Sequence, residues 1–166
     1  KKPALAADVR KHQALIQFIE DAYSAVVDRS IDGNEGEAAY FEQIDYKYFV
    51  HDSIISLLVM HSIAYPLSEG TSSFSLIHYD FKNENVLLTE EVLSIFGLSR
   101  LPILNAIAEQ CVWPDDSHEP LFDTVWFEAI KWTDFNQLKM IVDNEQGIHI
   151  IYPVSESGNE QIVLLK

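Results

Sequence analysis

The sequence predicts an α+β fold: a mostly antiparallel sheet packed by one long N-terminal helix and two shorter helices. Three observations carry that reading. Residues 8–29 place apolar side chains at helical spacing. Residues 46–81 hold three strand-like runs separated by turn residues. Residues 138–152 form a second hairpin pattern. No internal repeat, low-complexity tract or linker interrupts the 166 residues, so 1–166 reads as a single domain with 1–7 as a disordered lead-in.

The helix Asp8–Arg29 buries Val9, Leu15, Ile16, Ile19, Ala22, Tyr23 and Val26 on one face, with Asp8 as its N-cap. Asp32-Gly33-Asn34-Glu35-Gly36 then forms an acidic loop. Tyr46–Val50 and Ile54–Tyr65 pair as a hairpin around His51-Asp52-Ser53, and the β-branched, apolar second strand is expected at the centre of the sheet. Pro66 stops it, Leu67–Ser72 is a polar loop, and Ser73–Phe81 is the next strand. Lys82–Asn85 makes a turn before the short extended piece Val86–Leu88. Thr89 is expected to cap a helix with Glu90 and Glu91 in its first turn, and Gly97 to end it. Ser99 caps the next helix, Leu101 to Cys111. Residues 122–135 fit either a short helix or irregular packing around Trp126 and Trp132. Leu138–Val142 and Ile148–Tyr152 pair across Asp143–Gly147, and Gln161–Leu165 is the last strand.

Charge narrows the partners. The net charge is −15, and it is uneven: residues 1–29 balance to +1 and residues 30–166 to −16. Such a surface repels a phosphate backbone, so nucleic acid is excluded, whereas a basic protein or cationic ligand is steered inward. The single cysteine, Cys111, permits no intrachain disulfide and reads as a small buried hydrophobe. No segment spans a membrane, since the longest candidate, Ala14–Val27, contains Gln17, Glu20 and Asp21. The opening Lys1-Lys2-Pro3 reads as a trimmed start, compatible with a leader or anchor upstream.

Motifs for chemistry are sparse. No nucleophile elbow, zincin motif or phosphate-cradling loop is present, and no catalytic residue, metal ligand set or cofactor is assigned. Asp115-Asp116-Ser117-His118-Glu119 offers oxygen and nitrogen ligands but lacks calcium-loop spacing, so it reads as a solvated acidic loop. His61 and His78 are expected on adjacent strands, facing one another as structural residues. Trp113, Trp126 and Trp132 with Phe122, Phe127 and Phe135 read as core, with an aromatic platform as the alternative. The candidate binding residues are Glu69 and Thr71 in one loop and Asp115, Asp116, His118 and Glu119 in the other.

Several stretches in order carry a family pattern. Asp45-Tyr46-Lys47-Tyr48-Phe49-Val50 is followed by Ile55-Ser56-Leu57 and Tyr65, by Tyr79-Asp80-Phe81-Lys82-Asn83-Glu84-Asn85, and by Leu88-Thr89-Glu90-Glu91-Val92 with Phe96. Residues 138–142 and Gly147–Pro153 occupy the family's later hairpin. This order resembles the extracytoplasmic C-terminal domain of RsiV-type anti-sigma factors, also found beside PdaC-type peptidoglycan deacetylase modules, from about Ala7 onward. Where that family has a turn glycine the chain has Glu84 or Asn85, of which asparagine better tolerates left-handed backbone. The resemblance implies a non-enzymatic binding or sensory domain at the bacterial surface or periplasm, with a basic, lysozyme-like protein or a peptidoglycan-related ligand as partner. Two other readings fit size and charge: an acidic immunity or inhibitor protein neutralising a basic toxin, and an envelope glycan hydrolase or its accessory domain. The last requires a deep pocket with a buried carboxylate pair.

Overall fold

Strand composition and two tight turns dictate the larger of two sheets. β1 (Phe41–His51), β2 (Ile54–Tyr65), β3 (Ser68–Asp80) and β4 (Asn85–Leu87) follow one another as an antiparallel meander in the order β1-β2-β3-β4. In the computed structural model the described residues are 12–30, 41–65, 68–111, 124–131, 134–145, 147–153 and 160–165. β5 (Lys139–Val142), β6 (Ile148–Pro153) and β7 (Glu160–Leu165) form a separate antiparallel sheet, so the single sheet expected from the sequence is in fact two. The helices are α1 (Gln13–Ser30), α2 (Thr89–Ile95), α3 (Arg100–Cys111) and α4 (Thr124–Ile130), with a 3₁₀ turn at Phe135–Gln137.

The sheets are layered by side-chain alternation. Leu57, Val59, Ile77 and Tyr79 face α1, where Leu15 and Ile19, one turn apart, complete a buried cluster. Leu58, with Met60, Phe74 and Leu76 around it, faces the other way and meets Ile141, Ile151 and Ile162 of the smaller sheet. The far face of that sheet contributes Met140, Val142, Ile150, Tyr152 and Leu165 to a cluster closed by Leu93, Ile103, Ile107, Ile130 and Phe135 from the helical segments. The order of layers is therefore helix, larger sheet, smaller sheet, helices. Adjacent Ile150 and Ile151 are both buried because β6 is covered on both faces.

Several expectations need correction. The N-terminal helix is not the long rod from Asp8. It begins at Gln13, and its described side chains reach only Ser24; the Asp8 cap lies outside the described residues. The two shorter helices are three, because residues 122–135 contribute α4 and the 3₁₀ turn. The polar run after Leu67 is strand from Ser68, not loop, because it pairs with β2 across a register shift between Ile63 and Tyr65. The strand expected from Tyr46 begins at Phe41. No single helix among the described residues is long and apolar enough to cross a membrane.

Gly70 is required at that register shift. A Cβ there would lie 2.5 Å from the Ile63 carbonyl oxygen and 3.3 Å from the Ala64 Cα, backbone atoms that cannot swing aside. Gly70→Ala is expected to cost about 1–3 kcal/mol, read as a lower urea midpoint at unchanged slope. An unchanged midpoint would show that the strands slide apart freely.

α2 is capped differently from expectation. Leu88, not Thr89, is the N-cap residue. Thr89 instead donates its hydroxyl to the Leu138 carbonyl at 3.1 Å, and the Glu90 amide is satisfied by Asn136 Oδ1 at 3.0 Å. The Leu88 amide donates to Glu91 Oε2 at 2.7 Å. At the other end Gly97 adopts φ +70°, with Gly97 N bonding Ser94 O and Leu98 N bonding Leu93 O. That paired pattern ends the helix as its sequence implied.

Candidate docking surface at the turn end of the larger sheet

The β1–β2 and β3–β4 turns lie side by side because Asp80 joins them. Asp80 Oδ1 accepts from Ser53 Oγ at 2.8 Å and from the Lys82 amide at 2.8 Å, and Oδ2 accepts from Asn83 Nδ2. The Phe81 amide adds a 2.8 Å bond to the Ser53 carbonyl. The Ser53 hydroxyl, followed by the Lys82 and Asn83 donors, holds the Asp80 carboxyl below the usual carboxylate range against the opposing pull of desolvation. Asp80 is itself buried, so its role is to fix the turns.

The fixed turns carry strain. Asp52 at φ 50° and Glu84 at φ 55° are the two non-glycine residues with positive φ among the described residues, and each occupies one of these turns. Left-handed backbone costs a residue with a Cβ roughly 1–2 kcal/mol. Of the two turn residues Glu84 and Asn85, it is Glu84 that holds the left-handed backbone.

Around these turns the surface alternates between carboxylate and hydrocarbon. Val86, Leu88 and Ile95 are 47%, 54% and 51% exposed. Asp52, Glu84, Glu90 and Glu91 are exposed on the same two turns and the first turn of α2. The His51 ring lies 4.5 Å from that of Phe96, which draws the end of α2 against the β1–β2 turn. Exposed apolar side chains of this kind can be buried by a partner, and the exposed acids can pair with its ammonium or guanidinium groups.

The residues singled out from the sequence fall elsewhere. Asp115, Asp116, His118 and Glu119 lie outside the described residues, as do Trp113, Phe122 and Trp132. Glu69 is in β3, with its side chain outside the described set, and Thr71 is exposed on β3 opposite Ile63. His61 and His78 do lie on neighbouring strands, but they do not face one another. His78 is opposite Ser56, His61 is opposite Ser73, and the five-residue offset puts them on opposite faces of the sheet. His61 donates to Glu42 Oε1 at 2.5 Å, whereas His78 Nδ1 shares a 2.7 Å hydrogen bond with Ser56 between the sheets. His149 donates to Asp143 Oδ2 at 2.7 Å and stacks on Phe49. Among the described residues no three His, Cys, Asp or Glu side chains are placed to hold a metal ion. Trp126 packs against Tyr152 and Phe135 is fully buried, in keeping with a core role for these members of the aromatic group.

Sequence reasoning missed Asp52, Glu84, Val86, Leu88 and Ile95. Single exposed apolar residues are ordinary, and the Ser53–Asp80 link that sets the turns of Asp52 and Glu84 side by side spans 27 residues of sequence. No protein-family model matches the chain, and a search of curated proteins finds no match.

Proposed function

We propose that the chain is a non-enzymatic protein-binding domain of a bacterial envelope protein, and that the turn end of its larger sheet docks a basic partner. The observation that carries this reading is that exposed apolar residues (Val86, Leu88, Ile95) and exposed acids (Asp52, Glu84, Glu90, Glu91) both occur on the two turns, β4 and α2, with Asp52 and Glu84 held at positive φ. Strain retained in non-glycine turn residues marks positions where local stability is subordinate to what the surface presents. The charge of −15 steers a cationic partner toward it. The envelope setting rests on the resemblance of the motif order to the anti-sigma-factor domain, which implies a basic, lysozyme-like protein or a peptidoglycan-related ligand as partner.

Calorimetric titration with a lysozyme tests it. Binding is expected, weakening as salt rises. Removing three of these charges together (Asp52→Asn, Glu84→Gln, Glu90→Gln) is expected to cost about 0.5 kcal/mol each, or about tenfold in affinity in total. The same number of amides at Glu109, Glu128 and Glu145, on α3, α4 and the β5–β6 turn, should leave affinity nearly unchanged. Equal losses from both sets, or no binding by the wild type, would remove this assignment.

Glu84 separates stability from binding. Glu84→Gly relieves the left-handed backbone and is expected to stabilise the fold by about 0.5–1 kcal/mol, seen as a higher melting temperature. The same variant loses an exposed carboxylate and should bind lysozyme more weakly. A variant less stable than wild type would show that the Glu84 turn is not strained.

A further inference from the structure

β1 is the outer strand of the larger sheet, and among the described residues no strand pairs with its free edge. The two-residue loop Asp52–Ser53 makes His51 and Ile54 its closing pair. In a two-residue hairpin that pair exchanges hydrogen bonds. Alternation then turns the backbone groups of residues 42, 44, 46, 48 and 50 outward. Two side-chain bonds support the parity. The Tyr46 amide, which β2 leaves free, is satisfied by Asp45 Oδ1 at 2.8 Å. By the same counting Phe74 faces away from β2, and its amide donates to Glu160 while its carbonyl accepts from Lys139.

The free edge of β3 is thus covered at Phe74 by the Lys139–Glu160 ion pair, whereas among the described residues the edge of β1 carries the Asp45 side chain. The residue sequence along β1 is self-complementary about its middle. The strand runs from 41 to 51, so its centre is Tyr46. An antiparallel copy in full overlap sets Tyr46 against Tyr46, an outward-facing backbone pair that can exchange two hydrogen bonds on the dyad once Asp45 releases the Tyr46 amide. On one face Asp45 falls opposite Lys47 of the second copy, and Lys47 opposite Asp45 of the second copy, both exposed. On the other face Ile44 falls opposite Tyr48, a side chain 60% exposed in the single chain. A slip by two residues loses both the overlap and the charge pairing.

We propose that two copies of this chain pair through β1 in this register, joining two four-stranded sheets into one of eight. The occupant is a second copy rather than a foreign strand because one register satisfies backbone parity, full overlap and charge together. This pairing is argued from β1 and does not rest on the docking surface at the turn end.

Sedimentation of the wild-type chain, from micromolar to about 1 mM, is expected to show a monomer–dimer equilibrium. Lys47→Asp sets one carboxylate against another on both sides of the dyad and should weaken dimerisation at least tenfold. Asp45→Lys, which does the same with ammonium groups, should weaken it as much. The exchanged double variant Asp45→Lys with Lys47→Asp should restore it. Tyr48→Pro, which removes an outward amide without touching the β1–β2 ladder, should give a monomer whose circular dichroism matches wild type. A wild-type chain monomeric across that range overturns the pairing. So does a dimer that survives Lys47→Asp and Tyr48→Pro, or an exchanged double variant that stays monomeric although folded.

Discussion

Truncating Phe135 to alanine is expected to cost about 3–5 kcal/mol, a large share of the roughly 5–15 kcal/mol that holds a domain together. Phe135 sits in the 3₁₀ turn between α4 and β5 with none of its surface exposed. Its ring joins Leu93, Ile103, Ile107 and Ile130 to Met140, Ile150 and Tyr152, and so glues the helical layer to the smaller sheet. The Arg100 guanidinium lies 5.2 Å from the ring centroid while Nη2 donates to the Lys131 carbonyl at 2.8 Å. Alanine would leave a cavity walled by two layers that cannot both collapse. Urea titration followed by circular dichroism should show a lower midpoint at unchanged slope. Phe135→Leu, which keeps most of the volume, should lose far less. Loss of lysozyme affinity without loss of stability would instead place this aromatic in a binding platform.

How much of this was legible depends on the range of the interaction involved. The bounds of β2, Ile54–Tyr65, are legible in the sequence because composition and two flanking turns are local. The stop at Gly97 was equally local. The division into two sheets was not, because β4 and β5 are separated by three α-helices and strand composition does not name a partner. The parity of His61 and His78 follows from register, and register was set by the Asp52–Ser53 turn and the β3–β4 turn rather than by the histidines. The N-cap of α2 misled for a similar reason: Asn136, 46 residues away, supplies the oxygen that a capping threonine supplies in an isolated helix. The candidate docking surface was hidden as well. Its acids and apolar residues are unremarkable singly, and Asp80 looks like one acid among 26 until Ser53 is seen to donate to it.

Lowering the pH from 7 to 4 is expected to remove about 3 kcal/mol of stability through His78 alone. The imidazole lies between the sheets at 4% exposure, with Nδ1 bonded to Ser56 and Nε2 without a hydrogen-bond partner. Burial lowers its pKa from 6.5 to about 4, with the Met140 backbone pulling weakly the other way. The sign follows from which state holds the proton. The unfolded chain takes it up near 6.5 and the folded chain only near 4, so the stabilisation is complete above 6.5 and is lost as pH falls through that window. Asp80, held low first by Ser53, and Asp143, held low first by His149, act in the same direction but in more acid solution. Replacing both polar partners, with His78→Leu and Ser56→Ala together, should keep stability near wild type at pH 7 and flatten the curve between about 6.5 and 4. Ser56→Ala alone, which strands Nδ1, should destabilise by about 1–3 kcal/mol. A wild-type stability that stays level from pH 7 down to about pH 4.5 would mean that water reaches the imidazole and that the two sheets do not seal around it.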